Sequence, residues 1–347
     1  MKNFMTRCKT TLLELNSQKI KTTISQPWKR EHVETSTPED VFYCFRILLG
    51  RSPHREEWQG HLGHAGNTNL DDLVRSYLES LEFSLRFKNV FQQRALDNIS
   101  LKQLKEFSIY VRDGDSAVGK HISNERDYEP HVSAVFRDRI KSGMHVLDIG
   151  ANIGYFTMLS ASLTGSSGSV IAIEPNTDNI KLLEVSRRKN SFEHISVVQS
   201  AAGREIGLLV LNTSYSNGTT SSLSDDVSSV INSTTVSCLP IDLIVPQGRP
   251  IDFIKIDVEG AEYNALLGGS NLIRRYHPVI TSEFSPDLMP GISGVDGLQY
   301  LQFLLDFGYK ISVIELNGEL SKCGQDIHKV MNAYRASGSD HIDILMD

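Results

Sequence analysis

Apolar and polar positions follow two different periods along the chain, and the change comes near residue 105. Before it, apolar residues recur at helical spacing. In LDDLVRSYLESL, residues Leu70, Leu73, Val74, Tyr77, Leu78 and Leu81 share one face, and Asp71 and Asp72 sit in the first turn, where the helix macrodipole favours acids. A second helix is predicted from about 38 to 49, ended by Gly50 and Pro53. After residue 105, short apolar runs alternate with amphipathic helices, the signature of a parallel sheet with crossover helices. Strands are predicted at 144–149, 170–174, 195–200, 251–257, 279–284, 309–316 and 341–346, with helices at 177–188 and 259–267 among those between them. No long helix is predicted between the last two strands, which suits a closing antiparallel hairpin. The insertion 214–237 holds 13 Ser/Thr in 24 residues and reads either as a surface loop or as a lid over a site.

The expected fold class is therefore α/β, a doubly wound, Rossmann-like seven-stranded sheet behind a small all-α domain. The expected divisions are a basic arm at 1–37, a helical domain at 38–104 and the α/β domain at 105–347. A chain of 347 residues that is 40% hydrophobic has material for about two domains.

Charge refines this picture. The net formal charge is −7, which argues against nucleic acid as a general partner. Residues 1–30 hold seven Lys/Arg against the single acid Glu14, so that arm is either a solvated terminus or an electrostatic tether to an anionic surface. No apolar run is long enough to span a bilayer, and Leu12 and Leu13 are followed at once by Glu14, which interrupts any signal-peptide core. Cys8, Cys44, Cys238 and Cys323 are scattered, which suits neither zinc nor a disulfide framework and points to a reducing, cytoplasmic setting.

The chemistry gathers at strand ends, where ligands of open α/β sheets bind. HVLDIGANIGYFTM, residues 145–158, breaks from strand to helix through a glycine turn. A dinucleotide fingerprint would need glycine at 150, 152 and 155; the chain has Gly150, Asn152 and Tyr155, with Asp148 beneath the turn and Gly154 closing it. An acid there repels pyrophosphate and attracts a cation. The second strand ends in Glu174-Pro175-Asn176, and a carboxylate at that place can accept both hydroxyls of a ribose. Ribose recognition beside an acid favours a nucleoside with a positive centre, which describes S-adenosylmethionine.

At these residues a resemblance becomes close. VLDIGANIGYFT, AIEPN, VVQSAAG, Ser221-Ser222-Leu223, FIKIDVEGAEYNALLGG and VITSEFSP, with Tyr128-Glu129-Pro130 upstream, resemble the FkbM family of S-adenosylmethionine-dependent methyltransferases over roughly 120–346. The resemblance implies the methyltransferase variant of the doubly wound sheet and methyl transfer to a hydroxyl oxygen of sugars or secondary metabolites. By position it places Asp148, Gly150, Asn152 and Gly154 along the methionine portion, Glu174 on the ribose and Ala201-Ala202 at the adenine. Pro175, Asn176 and Asp257 complete the expected cofactor contacts. Leu239-Pro240-Ile241-Asp242 departs from the family's usual Thr-Leu-Asp. The earlier VFYCFRILLGRSP and YLESLEF resemble a bacterial helical domain of unknown function, through Leu49, Gly50, Arg51, Pro53, Trp58, Ser80, Glu82 and Phe83. This implies a module found beside glycan-related enzymes and assigns no chemistry; a docking or homo-oligomerisation role is the expectation for it.

A hydroxyl is a poor nucleophile while protonated, so a base or a metal should assist the transfer. Expected catalytic residues are Asp257, Glu259, Glu283 and Glu129. Each also has an ordinary reading; Glu259 would suit the first turn of a helix, and Glu262 would simply be solvated there. Carboxylates of this kind can hold Mg²⁺, although nothing in the spacing demands it, and no residue is assigned to a metal. His131 and His277 are further bases to weigh, His277 standing just before a strand, and Lys255 needs a carboxylate partner if buried. The expected partner is a small-molecule or glycan hydroxyl acceptor. Two other readings stay open: a non-catalytic scaffold that retains the fold, and an NAD-dependent oxidoreductase, which Asn152, Tyr155 and Asp148 disfavour.

Overall fold

The computed structural model describes residues 35–87, 98–113, 115, 118–125, 127–212, 219–222, 230–231 and 233–347. The basic residues of 1–30 lie outside them. The chain divides into two compact units, Met1–Asp97 and Asn98–Asp347. Among the described residues, no helix is long and apolar enough to cross a membrane.

In the first unit, Thr37 caps a helix at Pro38–Tyr43: its hydroxyl accepts from the Asp40 N–H while the Asp40 carboxylate accepts from the Thr37 N–H. The helix widens into a π turn, Cys44–Leu49, and stops at Gly50, whose φ of +67° is left-handed. Helices Arg55–Leu62 and Leu70–Leu78 follow. Val41, Phe45, Leu49, Leu73 and Tyr77 form the core. The predicted apolar face is shorter than its pattern: the helix ends at Leu78, leaving Leu81 75% exposed. Arg51 ties the unit together, bonding Glu57 at 2.7 Å and Glu82 at 2.5 Å with its guanidinium over the Phe45 ring.

The second unit begins with an antiparallel pair, β1 (Ile99–Gln103) and β2 (Ser108–Arg112). Then come β3 (His145–Ile149), β4 (Ser169–Ile173), β5 (Ile195–Val198), β6 (Ala201–Ala202), β7 (Gly207–Asn212), β8 (Thr219–Ser221) and β9 (Thr234–Leu239). They are followed by β10 (Phe253–Ile256), β11 (Val279–Phe284), β12 (Ile311–Ile314), β13 (Leu320–Gly324) and β14 (Ile342–Met346). The main sheet has eight strands in the order β13-β12-β14-β11-β10-β3-β4-β5. The five strands from β11 to β5 run parallel, and β14, β12 and β13 add on antiparallel. This is the doubly wound sheet expected from the sequence, with eight strands in place of the seven predicted because β13 adds on at the edge. Its central strands are apolar on both faces except at Asp148 and Lys255, with Leu147, Ile149, Ile254 and Ile256 in one core and Val146, Val170 and Phe253 in the other.

Two expectations change. The final antiparallel partners, β12 and β14, are present, yet the chain between them carries both β13 and an 11-residue helix, Ile327–Ser337. LSKCG and IHKVMNAYRAS each bury too few apolar residues to announce themselves. The Ser/Thr-rich insertion is also more ordered than a loop: its described parts include β8 and β9, which join β6 and β7 in a four-stranded sheet, β6-β9-β7-β8. β-Branched Thr234, Thr235 and Val236 favour a pleated strand, and composition alone hid this. The Leu239–Asp242 departure is structural; Pro240 starts a short helix, and the Asp242 carboxylate accepts from the N–H groups of Asn271 and Leu272.

Candidate active site

The topology reverses at β3: the chain winds outward through β4 and β5, then returns to β10 on the other side. The crevice at the carboxyl ends of β3 and β10 is therefore where a ligand belongs. The turn after β3 is left-handed at Gly150 (φ +80°), Asn152 (φ +50°) and Gly154 (φ +93°). A Cβ at Gly150 would lie 1.8 Å from the Asp257 carbonyl oxygen, so this glycine lets β10 approach as well as letting the chain turn. A Cβ at Gly154 would meet Leu183 at 2.7 Å, which makes its requirement one of helix packing. Asn152 tolerates its conformation because its side-chain oxygen accepts from the next N–H, that of Ile153, at 2.8 Å.

Glu174, at the end of β4, is buried and braces two turns. One oxygen accepts from the Asn152 N–H at 2.9 Å; the other accepts from the Asn176 N–H at 2.8 Å and the Asn179 amide at 3.4 Å. Asn176 in turn caps the helix Thr177–Lys189. Burial raises the Glu174 carboxyl to about 7 against these hydrogen bonds.

Acids collect at the ends of β10 and β11. Lys255 is 5% exposed and its ammonium lies 2.9 Å from Asp257 Oδ2, over the ring of Phe156. Burial alone would lower its pKa, but Asp257, Asp148 and Glu129 together hold it above the ordinary lysine value. Asp148, opposite Lys255 in the parallel register, is fully buried and accepts from the Thr157 hydroxyl. Burial pushes its carboxyl up, against the pull of Lys255. Glu283 accepts from the Ser285 hydroxyl at 2.7 Å, and burial with the nearby charges of Asp257 and Glu259 raises it to about 10. Glu129 (φ +43°) precedes the helix Pro130–Arg139 and is raised to about 7, again by burial first, with Lys255 opposing. Oxygen atoms of Asp257, Glu259 and Glu283 lie within 4.8 Å of one another, a donor set that could hold a hard cation.

Two cavities meet at Gly150 and Glu174. One, of about 110 Å³, gathers Glu129, Gly150, Asn152, Glu174, Asp257, Glu259 and Glu283. The other, of about 40 Å³, gathers Gly150, Glu174, Pro175, Asn176 and Ala201. Asp148 and Gly154 line neither. Two of the ordinary readings fall: Glu259 lies in the turn before the helix, which starts only at Glu262, and Glu262 is wholly buried rather than solvated. His131 bonds Asp343 on β14 at 2.7 Å, and His277 packs on Tyr309 with its ring nitrogen at the Phe307 carbonyl. The larger cavity also takes in Tyr128, Phe156, Lys255 and His341, of which only Lys255 was weighed as chemistry from sequence. The Tyr-Glu-Pro segment was the available signal for Tyr128.

With this geometry in view, residues 148–311 match the family model described as the methyltransferase FkbM domain. Residues 148–311, just under half of the chain, are thus similar to an FkbM methyltransferase domain. No curated protein matches the chain. Among solved structures, an FkbM methyltransferase from Methylobacillus flagellatus KT is similar at 19% identity and a TM-score of 0.39, covering 59% of this chain and 44% of that one. This chain thus spans less than half the length of that relative. A SAM-dependent O-methyltransferase from Thermotoga maritima is similar at 17% identity and a TM-score of 0.36, covering 65% and 69%. An Aeropyrum pernix fibrillarin in complex with S-adenosyl-L-methionine follows at 12%, 0.37, 72% and 99%. The matched FkbM segment starts at the buried Asp148 and ends at Ile311, the first residue of β12.

Proposed function

We propose that this protein is an S-adenosylmethionine-dependent O-methyltransferase acting on a hydroxyl of a sugar, glycan or glycolipid or secondary-metabolite precursor. The observation that carries the reading is the pair of cavities joined at Gly150 and Glu174, with acids concentrated in one of them. A cationic methionine portion suits the acidic cavity, and an adenine suits the cavity at Ala201. Glu174 lines both, at the place of a ribose. Gly150, Asn152, Pro175 and Asn176 complete the seat, and Asp148 acts from beneath through Lys255.

When bound, the cofactor supplies a methyl group on a sulfonium, with a neutral thioether as leaving group. The protein's part is alignment and proton removal. In-line positioning is worth up to about 7–11 kcal/mol. Asp257 takes the acceptor's proton as the C–O bond forms and the S–CH₃ bond breaks, and Glu259, Glu283 and Glu129 orient the hydroxyl. Glu283 is protonated at neutral pH while no cation is near, so it begins as a hydrogen-bond donor. We assign the helices of the first unit, from Pro38 onward, to an accessory docking or oligomerisation module, β1 at Ile99–Gln103 belonging to the second unit, and the basic arm to contact with an anionic surface. A cytoplasmic setting is supported by the free thiols of Cys44, Cys238 and Cys323.

The test is calorimetric titration of the purified chain with S-adenosylmethionine, S-adenosylhomocysteine and NAD, followed by a sugar screen with labelled methyl donor. Selective binding of the two adenosyl ligands is expected. Binding of neither by folded protein would favour the scaffold reading.

A further inference from the structure

Glu262 differs from the other acids of the KIDVEGAE run. It lines neither inner cavity, its side chain is fully buried, and it stands one step beyond the acids that do line them. Its Oε1 accepts from the Val258 N–H at 3.0 Å and the Gly260 N–H at 3.2 Å, while Oε2 has no hydrogen-bond partner among the described residues. Between those two N–H groups sits Glu259, left-handed at φ +53°, followed by Gly260 at φ +92°. A non-glycine residue in that region is strained and persists only where its surroundings over-determine it. Here they do. Glu262 holds the turn from one side, and the Ser293 hydroxyl donates to the Gly260 carbonyl from another. The turn delivers the Glu259 carboxylate to within 4.8 Å of Asp257 and Glu283.

We propose that Glu262 is a positioning residue for the acid cluster. By collecting the N–H groups of Val258 and Gly260 on one oxygen, it fixes the left-handed turn that aims Glu259 at Asp257 and Glu283. Any consequence for turnover rests on the methyl-transfer reading; the brace itself does not.

The test compares Glu262→Gln with Glu262→Ala in the full chain. Both remove the charge of Glu262, but only glutamine keeps a carbonyl oxygen for the two N–H groups. The readout is the titration of Glu283, followed by carboxyl ¹³C NMR and assigned with Glu283→Gln; its neighbours are Asp257, Glu259, Glu262 and Ser285. With the brace lost, the Glu259 charge moves away, so Glu283 in the alanine variant should titrate about one pH unit or more below its value in the glutamine variant. Equal titration in two folded variants would overturn the proposal. Should Glu262→Ala not fold, Glu259→Gly is added, since glycine takes the left-handed turn unaided. Recovery of folding supports the brace, and no recovery sinks it. Neither arm uses a methyl donor, so failure here is separate from failure of the calorimetric test.

Discussion

Lys255 Nζ lies 2.9 Å from Asp257 Oδ2, and Asp148 stands directly opposite Lys255 on the neighbouring strand. One buried cation therefore serves carboxylates on β10 and β3 together. Removing one partner of a buried charge network costs about 3–5 kcal/mol because the remaining charges are stranded. Lys255→Met should lower unfolding free energy by an amount in that range, and adding Asp148→Asn should restore part of it. Urea titrations of the three proteins measure both effects.

Asp257→Asn should separate chemistry from binding. General-base assistance contributes roughly 10²–10⁴-fold. The variant should lose methyl transfer on that scale while S-adenosylmethionine affinity changes by only a few-fold. Comparable loss of affinity would instead make Asp257 a cofactor contact alone.

The cofactor's charge predicts a proton linkage. Glu129 and Glu283 sit near 7 and 10, faced by Lys255, Asp257, Glu259 and Asp343. A cation favours their ionised forms, so binding near neutral pH should release protons, and affinity should rise between pH 6 and 9. Calorimetry in buffers of different ionisation enthalpy reads the released protons directly. A zero count would mean that the cation does not enter this cavity.

Glu283→Gln should stabilise the protein at alkaline pH. The folded carboxyl at about 10 lies above its ordinary 4.5, so the unfolded chain loses its proton first. Relative stability from this group is full below pH 4.5 and is lost as pH climbs toward 10. The glutamine variant escapes that loss, so its melting temperature should exceed the wild type's at pH 8 and depend less on pH. Thermal scans across pH 5–9 check the slope.

Gly150→Ala should fail structurally. The methyl group would fall on the Asp257 carbonyl at 1.8 Å, in a left-handed conformation that alanine resists. Loss of folded yield, or cofactor affinity reduced beyond measurement, is the expected result of expression and calorimetry.

Much of this was legible in the chain. Strands β3, β4, β10 and β11 announced themselves because each is buried on both faces and reads as a largely apolar run. Gly150, Asn152 and Glu174 were visible as a turn and an acid at the expected interval. What periodicity could not reveal were second uses of the same residues. Glu174 braces backbone as well as lining both cavities, and Gly150 answers to Asp257, more than a hundred residues away. Glu262 looked like an ordinary first-turn acid because its acceptor role depends on a left-handed residue that no pattern signals. The edge strand β13 was missed because LSKCG is only half-buried.

The contact between Gly150 and the Asp257 carbonyl fixes the spacing between donor seat and acid cluster in the main chain itself. If the proposed methyl transfer holds, side-chain substitutions around the crevice would change which acceptor is taken while the donor seat keeps its place. A designer reshaping the crevice should therefore change its side chains and leave the main chain at the β3 and β10 ends untouched.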